Sequence, residues 1–181
     1  MIRGDKTCLR ALEKDDLPRF VRWINDPETR RFMTMRYPVS MTEEKDWWEG
    51  FLARKNDYIF AIEAGDGTHI GNIGLHGIQS ENRRAVLGII IGDKAYWGQG
   101  YGADAIRALL GWAFGTMNLQ RVSLTVYAYN ERAIHCYEKC GFRHEGIMRQ
   151  ARFIDGQYYD ELMMGILRDE FLEGKEAGRA T

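Results

Sequence analysis

Two segments hold the residues with the most chemical meaning. The first reads Ile89-Ile90-Ile91-Gly92-Asp93-Lys94-Ala95-Tyr96-Trp97-Gly98-Gln99-Gly100-Tyr101-Gly102-Ala103, an apolar strand-like run that enters a glycine-rich turn and leaves it as a helix. A helix start presents unpaired N–H groups and partial positive charge, and glycines at 98, 100 and 102 let the backbone approach an anion without Cβ clashes. A pyrophosphate suits such a turn, although clustered glycines also make ordinary tight turns. There is no G-x-x-x-x-G-K-[ST] loop, and the G-x-G-x-x-G fingerprint fails because position 105 is Ala.

The second segment is Asn130-Glu131-Arg132-Ala133-Ile134-His135-Cys136-Tyr137-Glu138-Lys139-Cys140-Gly141-Phe142. Asn130 can cap a helix and keep hydrogen-bonding capacity in reserve. Tyr137 offers a ring that packs at helical spacing beside Ile134. His76, in an apolar run upstream, is a candidate base of the residue type best suited to proton exchange near neutrality. Packing, in the core or at the surface, is the commoner role for such a histidine.

The elements that position these residues follow from periodicity. Leu9 to Leu12 suits a short strand; Asp15 or Asp16 can then cap a helix with Pro18 in its first turn, ended by Asn25-Asp26-Pro27. Ser40-Met41-Thr42-Glu43 fits a capping box, with Trp47, Phe51 and Trp48, Leu52 following at i, i+4 spacing. Tyr58–Glu63, Ile70–Ile78 and Ala85–Ile91 read as a three-strand antiparallel meander. Ile106, Leu109, Leu110, Ala113 and Met117 mark an amphipathic helix, and the alternating strand Val122, Leu124, Val126 after it implies a parallel crossover. A helix from Asn130 closes at Gly141, and Phe142–Met148 with Tyr158–Leu167 form a last hairpin around Asp155-Gly156.

Composition limits the alternatives. The 181 residues suit one domain, residues 1–172, with a small, charged end at 173–181 expected to fray. Hydrophobic residues at 45% and charged residues at 28% are globular usage, which sets aside disordered, collagenous and coiled-coil classes. A formal net charge of -1 supplies no global field toward nucleic acid or an anionic membrane. Without a signal-like start or an apolar run of the ~18 residues a span needs, a cytoplasmic protein is expected. Cys8, Cys136 and Cys140 do not form a disulfide framework; Cys136 and Cys140 lack further ligands at metal spacing, so structural thiols and no metal are expected.

Gly98-Gln99-Gly100-Tyr101-Gly102-Ala103 resembles the acetyl-CoA pyrophosphate loop of GNAT acetyltransferases, and Asn130 to Phe142 resembles that superfamily's N-x-x-A-x-x-x-Y-x-x-x-G-F helix. The resemblance extends from Leu9-Arg10-Ala11-Leu12 to Asp160-Glu161-Leu162-Met163-Met164. It is closest to the ribosomal-protein N-terminal acetyltransferase and spermidine acetyltransferase branches. It implies an α/β GNAT fold: a central mixed, mostly antiparallel sheet of about seven strands flanked by about four helices.

The resemblance also implies that backbone groups of Ile89, Ile90 and Ile91 pair with the pantetheine arm of acetyl-CoA and that Gly98, Gln99, Gly100, Tyr101, Gly102 and Ala103 bind its pyrophosphate. Asn130 would hold the cofactor near its thioester, and Tyr137 would stand beside the sulfur as proton donor. The acceptor groove maps to residues 25–48, where Arg30, Arg31 and Arg36 fall. Homodimers are common among such proteins, and Trp47, Trp48 and the last strands could supply apolar surface.

Two positions depart from the pattern. Trp97 stands where Gln or Arg usually leads the loop, which leaves the pyrophosphate to backbone N–H groups. Val86 replaces a Glu that often helps deprotonate the amine, so the base is open and His76 is its candidate replacement. A lysine-like amine of pKa ~10.4 costs ~4.6 kcal/mol to deprotonate at pH 7, and an α-amine of pKa ~8 only ~1.4 kcal/mol. A weak base therefore favours a protein or peptide α-amine as acceptor. A small-molecule amine or a polyamine is the alternative, the latter disfavoured by the basic connection; a non-catalytic acyl-CoA-binding module and a nucleotide-binding domain rank lower.

Overall fold

A computed structural model describes residues 1–35 and 37–179, without the side chains of 175–179. Eight strands form one sheet in the order β1-β2-β3-β4-β5-β6-β8-β7: β1 (Ile2–Arg3), β2 (Thr7–Ala11), β3 (Tyr58–Ala64), β4 (His69–Gln79), β5 (Arg84–Ile91), β6 (Arg121–Tyr127), β7 (Arg143–Ile154) and β8 (Gln157–Leu167). The helices are α1 (Leu17–Asn25), α2 (Pro27–Arg30), α3 (Met41–Leu52), α4 (Tyr101–Gly115), α5 (Glu131–Lys139) and α6 (Arg168–Arg179). No helix among the described residues is long and apolar enough to cross a membrane.

The meander β3–β4–β5 is antiparallel and the crossover through α4 brings β6 parallel to β5, both as the periodicity implies. The capping box forms, with Ser40 Oγ accepting from Glu43 N at 3.1 Å and Glu43 Oε2 accepting from Ser40 N at 2.8 Å. Asp16 precedes α1 but does not cap it with its side chain; its carboxylate takes two hydrogen bonds from Arg10, at 2.7 and 2.8 Å. Gly141, at φ +94°, closes α5 in the left-handed region.

Two expectations need correction. The strand β1 and the four-residue α2, capped by Asp26 through Glu28 N and Thr29 N, are additional. Residues 173–179 lie within α6, and 180–181 lie outside the described residues. Trp48 is not surface, because it packs in a cluster with Leu12, Leu17 and Ala61.

The main core lies between the sheet and α4, whose Ala105, Ile106, Leu109, Leu110, Ala113 and Phe114 are buried against Ile73, Leu75, Leu87, Val122 and Ile166. Burying a Leu or Ile side chain contributes about 1.5–3 kcal/mol each. The helix that starts at the glycine turn is therefore also the one most firmly fixed to the sheet.

Candidate active site

The candidate residues are carried by β5, the glycine turn that follows it and α5, and β5 parts from β6 just before that turn. These strands are opposed only from Arg84–Val86 to Arg121–Ser123, after which β5 runs on to Ile91 and β6 to Tyr127 without pairing to each other. Parallel strands that diverge leave N–H and C=O groups facing a gap, which a chain-like amide ligand can satisfy as a further strand does. Ile89, Ile90 and Ile91 are half-buried along the open stretch.

Past Ile91 the chain turns into the glycine loop. Gly98 and Gly100 adopt φ +71° and +87°, which side-chain-bearing residues rarely take, and Gly98 has open space where a Cβ would stand. Gly100 is the cap of α4, so the N–H groups of Tyr101, Gly102 and Ala103 form the free first turn of a fifteen-residue helix. The cradle fits a pyrophosphate, because free backbone donors sit at the helix start with the Lys6 ammonium beside Gly100 and Tyr101.

Asp104 fixes that helix start and was not apparent from the sequence. It is buried and accepts from Thr7 Oγ1 at 2.7 Å, Thr7 N at 2.9 Å, and Lys6 N and Asp5 N at 3.0 Å. Burial opposes its charge, but the Thr7 hydroxyl and these backbone donors outweigh it and hold the carboxyl below its ordinary range. Lys6 Nζ also donates to Gln99 O at 3.1 Å. The first strands thus brace the loop from a sequence distance of nearly a hundred residues.

Asn130 caps α5, accepting from Ala133 N at 3.3 Å through Oδ1. Tyr137 is buried at 8% exposure, edge-on to Phe142 at 5.9 Å, and its hydroxyl makes no hydrogen bond among the described residues. Burial raises its phenol well above the ordinary range, so it is a protonated donor at neutral pH. His76 lies across Gly74 and Gly88 on the face that carries Val86, half-exposed, with Nδ1 3.9 Å from Asp57. Val86 itself is 46% exposed, so the position without a carboxylate opens onto that face.

The connection from α1 to α3 closes over the loop. Tyr127 OH donates to Met33 O at 3.1 Å and Tyr129 OH to Arg31 O at 2.5 Å. Lys94 reaches Asp26 at 2.9 Å and Glu28 at 3.0 Å. Phe32 meets Trp97 edge-on, and Arg132 lies over both rings, 3.8 Å from the Trp97 centroid. Trp97 is held by its indole N–H, which donates to Ile91 O at 2.6 Å. Of the acceptor-side arginines, Arg31 stacks on Tyr129 at 5.5 Å and Arg30 is half-buried on α2, whereas Arg36 lies outside the described residues. Two shallow hollows of about 380 and 420 Å³ lie elsewhere on the surface and contain neither Tyr137 nor the glycine loop.

A split strand pair, a free helix start after a glycine turn and a phenol on the following helix are what an acyl-CoA-dependent transferase site calls for. The chain belongs to the GNAT family: residues 6–143 match the model of the acetyltransferase (GNAT) domain. It is an acetyl-CoA-dependent N-acetyltransferase.

It is 32% identical over 173 residues to spermidine N(1)-acetyltransferase of Escherichia coli K12, covering 94% of this chain and 91% of that one. It is 34% identical over 179 residues to the putative ribosomal N-acetyltransferase YdaF of Bacillus subtilis, covering 96% and 97%. The crystal structure of spermidine N-acetyltransferase from Vibrio cholerae in complex with CoA and spermine superposes with a TM-score of 0.87 at 29% identity, over 93% of this chain and 99% of that one.

Proposed function

We propose that this enzyme acetylates a primary amine of a small polyamine, with acetyl-CoA lying along Ile89–Ile91 and its pyrophosphate on Gly98–Ala103. The observation that carries the acceptor is the similarity to spermidine acetyltransferases over nearly the whole chain, including the helices that flank the acceptor side. The aromatic faces of Phe32, Trp97 and Tyr129 add to it, since they already stack on guanidinium groups and suit an ammonium group equally. This replaces the α-amine preference derived from Val86 and the arginines.

In the reaction, the neutral amine attacks the thioester carbonyl carbon, the C–S bond breaks, and the amine proton leaves through His76 or a water it holds. Tyr137 donates a hydrogen bond to the departing sulfur; full proton transfer from a phenol to a thiolate is uphill by ~2 kcal/mol at ordinary pKa values, and burial of Tyr137 makes it more so. Asn130 orients the cofactor with the part of its amide that capping leaves free.

A peptide α-amine is the second reading. It is favoured by the exposed Val86, where a stronger base is missing, and by Arg30 and Arg31 beside the groove. The deciding experiment is CoA release with spermidine, α-amine peptides and amino sugars under equal acetyl-CoA. Turnover on spermidine supports the first reading, and turnover on peptides alone overturns it. We place the enzyme in the cytoplasm and expect it to self-associate through exposed Ile147, Phe153, Tyr158 and Met163 on β7 and β8; light scattering at a monomeric mass would refute that.

A further inference from the structure

We infer that Glu161, a buried carboxylate on β8, holds a non-reacting ammonium group of the acceptor beside the open end of the β5–β6 gap. Strand register fixes where it stands. Val86 on β5 is opposite Ser123 on β6, and on β6 and β8 Ser123 is opposite Gly165 and Tyr127 opposite Glu161. Paired residues share a face of the sheet, as do alternate residues along a strand. Val122, Leu124, Val126, Met164 and Ile166 belong to the core that α4 covers, so Val86, Tyr127, Tyr159 and Glu161 occupy the opposite face. Glu161 lies level with the end of β6, where β5 and β6 have already separated.

The α1–α3 connection crosses that same face. Tyr127 OH donates to Met33 O at 3.1 Å, and Tyr159 meets edge-on, at 4.8 Å, the Tyr129 ring whose hydroxyl donates to Arg31 O. Glu161 is 4% exposed, and its Oε1 accepts from Arg152 Nε at 3.1 Å. Arg152 follows a bulge in β7: the register shifts between Met148 and Arg152, Gln150 takes φ +52°, and its N–H donates to Asp160 Oδ1 at 2.8 Å. Bulges beside active sites re-aim side chains. The Arg152 side chain is 35% exposed against 6% for Glu161, so the pair is open to solvent from the arginine end.

A carboxylate among aromatic rings suits an ammonium group, which gains a charge-assisted hydrogen bond and ring faces in place of water. It offsets the positive charge of Arg30 and Arg31 on the same side. The group held is not the reacting amine, because β6 separates β8 from the gap and each strand step is about 4.8 Å. A polyamine carries further charges a few bonds along its chain, at about that reach. Arg152 shares the carboxylate and opposes the incoming charge, which makes the pair selective for a strongly cationic acceptor.

This inference rests on reading the acceptor as a small polyamine, and the test separates the two. Initial rates of the full-length parent, E161Q, E161D and R152M are measured against spermidine and against acetyl-CoA, with a thermal melt of each. E161Q should raise KM for spermidine about tenfold or more while KM for acetyl-CoA stays within about twofold, and E161D, which keeps the charge, should recover part of the loss. R152M leaves the carboxylate and removes its competitor, so its KM for spermidine should fall about threefold. A purely structural ion pair would lower the melting temperature in E161Q and R152M alike and leave KM for spermidine alone. An E161Q enzyme with the parent's KM for spermidine, KM values for both substrates that rise together, or a higher KM for spermidine in R152M overturns the inference. A parent that turns over peptides and not spermidine overturns the polyamine reading itself, and the inference with it.

Discussion

The Arg132 guanidinium lies 3.8 Å from the centre of the Trp97 indole, on the residue that leads into the glycine loop. Trp97 replaces the polar or cationic residue usual at that place, and Arg132, distant in sequence, returns a positive charge to the same end of the cleft. Burial lowers its proton affinity somewhat while Glu28 opposes the shift, so it remains a cation held against an apolar face. We expect R132A to raise KM for acetyl-CoA about tenfold with a smaller effect on kcat, because an ionic contact to phosphate is worth about 1.5 kcal/mol. R132K, which keeps charge but loses planar stacking, should recover part of the loss. Unchanged acetyl-CoA kinetics in R132A would show that backbone donors suffice.

For Tyr137 the separation of kcat from binding is the test. Y137F keeps the ring that packs on Phe142 and removes only the hydroxyl. The expected outcome is a fall in kcat of about 100-fold, with CoA affinity changed by less than about threefold, as for loss of a positioned proton donor. A loss of thermal stability with unaltered turnover would assign the residue to packing alone.

Asp104 makes a prediction about stability and acid. D104N keeps the shape but loses the charge that accepts from three backbone N–H groups and a hydroxyl. The cost should be about 3 kcal/mol at pH 7, seen as a Tm roughly 6–12 °C lower. Because the folded carboxyl titrates below its unfolded value, its contribution is present above the unfolded pKa and is lost as pH falls through the folded one. The gap between parent and D104N should therefore close on acidification. A constant gap would mean that the amide's own clashes, not the lost charge, cause the effect.

How much of this site could be read in the sequence depends on distance along the chain. The strand before the glycine loop, the helix after it, and Asn130 with Tyr137 were legible because turn chemistry, hydrophobic period and capping act over a few residues. The Asp104 anchor to Thr7 and the Arg132–Trp97 stack were not, since they join residues 97 and 35 positions apart and leave no local pattern. The short strand β1 was invisible for another reason: two residues carry no period, and only the pairing of Ile2 with Leu9 and Arg3 with Cys8 defines it. Of the arginines read as an acceptor face, Arg31 stacks on Tyr129, a contact as far along the chain and as little marked in the sequence.

Glu44 gives the opposite pH behaviour to Asp104. It lies on α3 at 3% exposure, its Oε1 has no hydrogen-bond partner, and burial pushes its carboxyl up to about 7 from an ordinary value of 4.5. Below pH 4.5 both folded and unfolded states carry the proton, and Glu44 adds no pH dependence. Between there and pH 7 the unfolded chain ionises first, so stability falls as pH rises, and above pH 7 the loss is complete at about 3 kcal/mol. E44Q cannot ionise and keeps the shape, so it should melt several degrees higher than the parent at pH 8, with the difference vanishing near pH 4.5. Thermal melts of both proteins from pH 4.5 to 8 decide it: an E44Q advantage that does not grow with pH would mean that the carboxyl is hydrated or paired in solution.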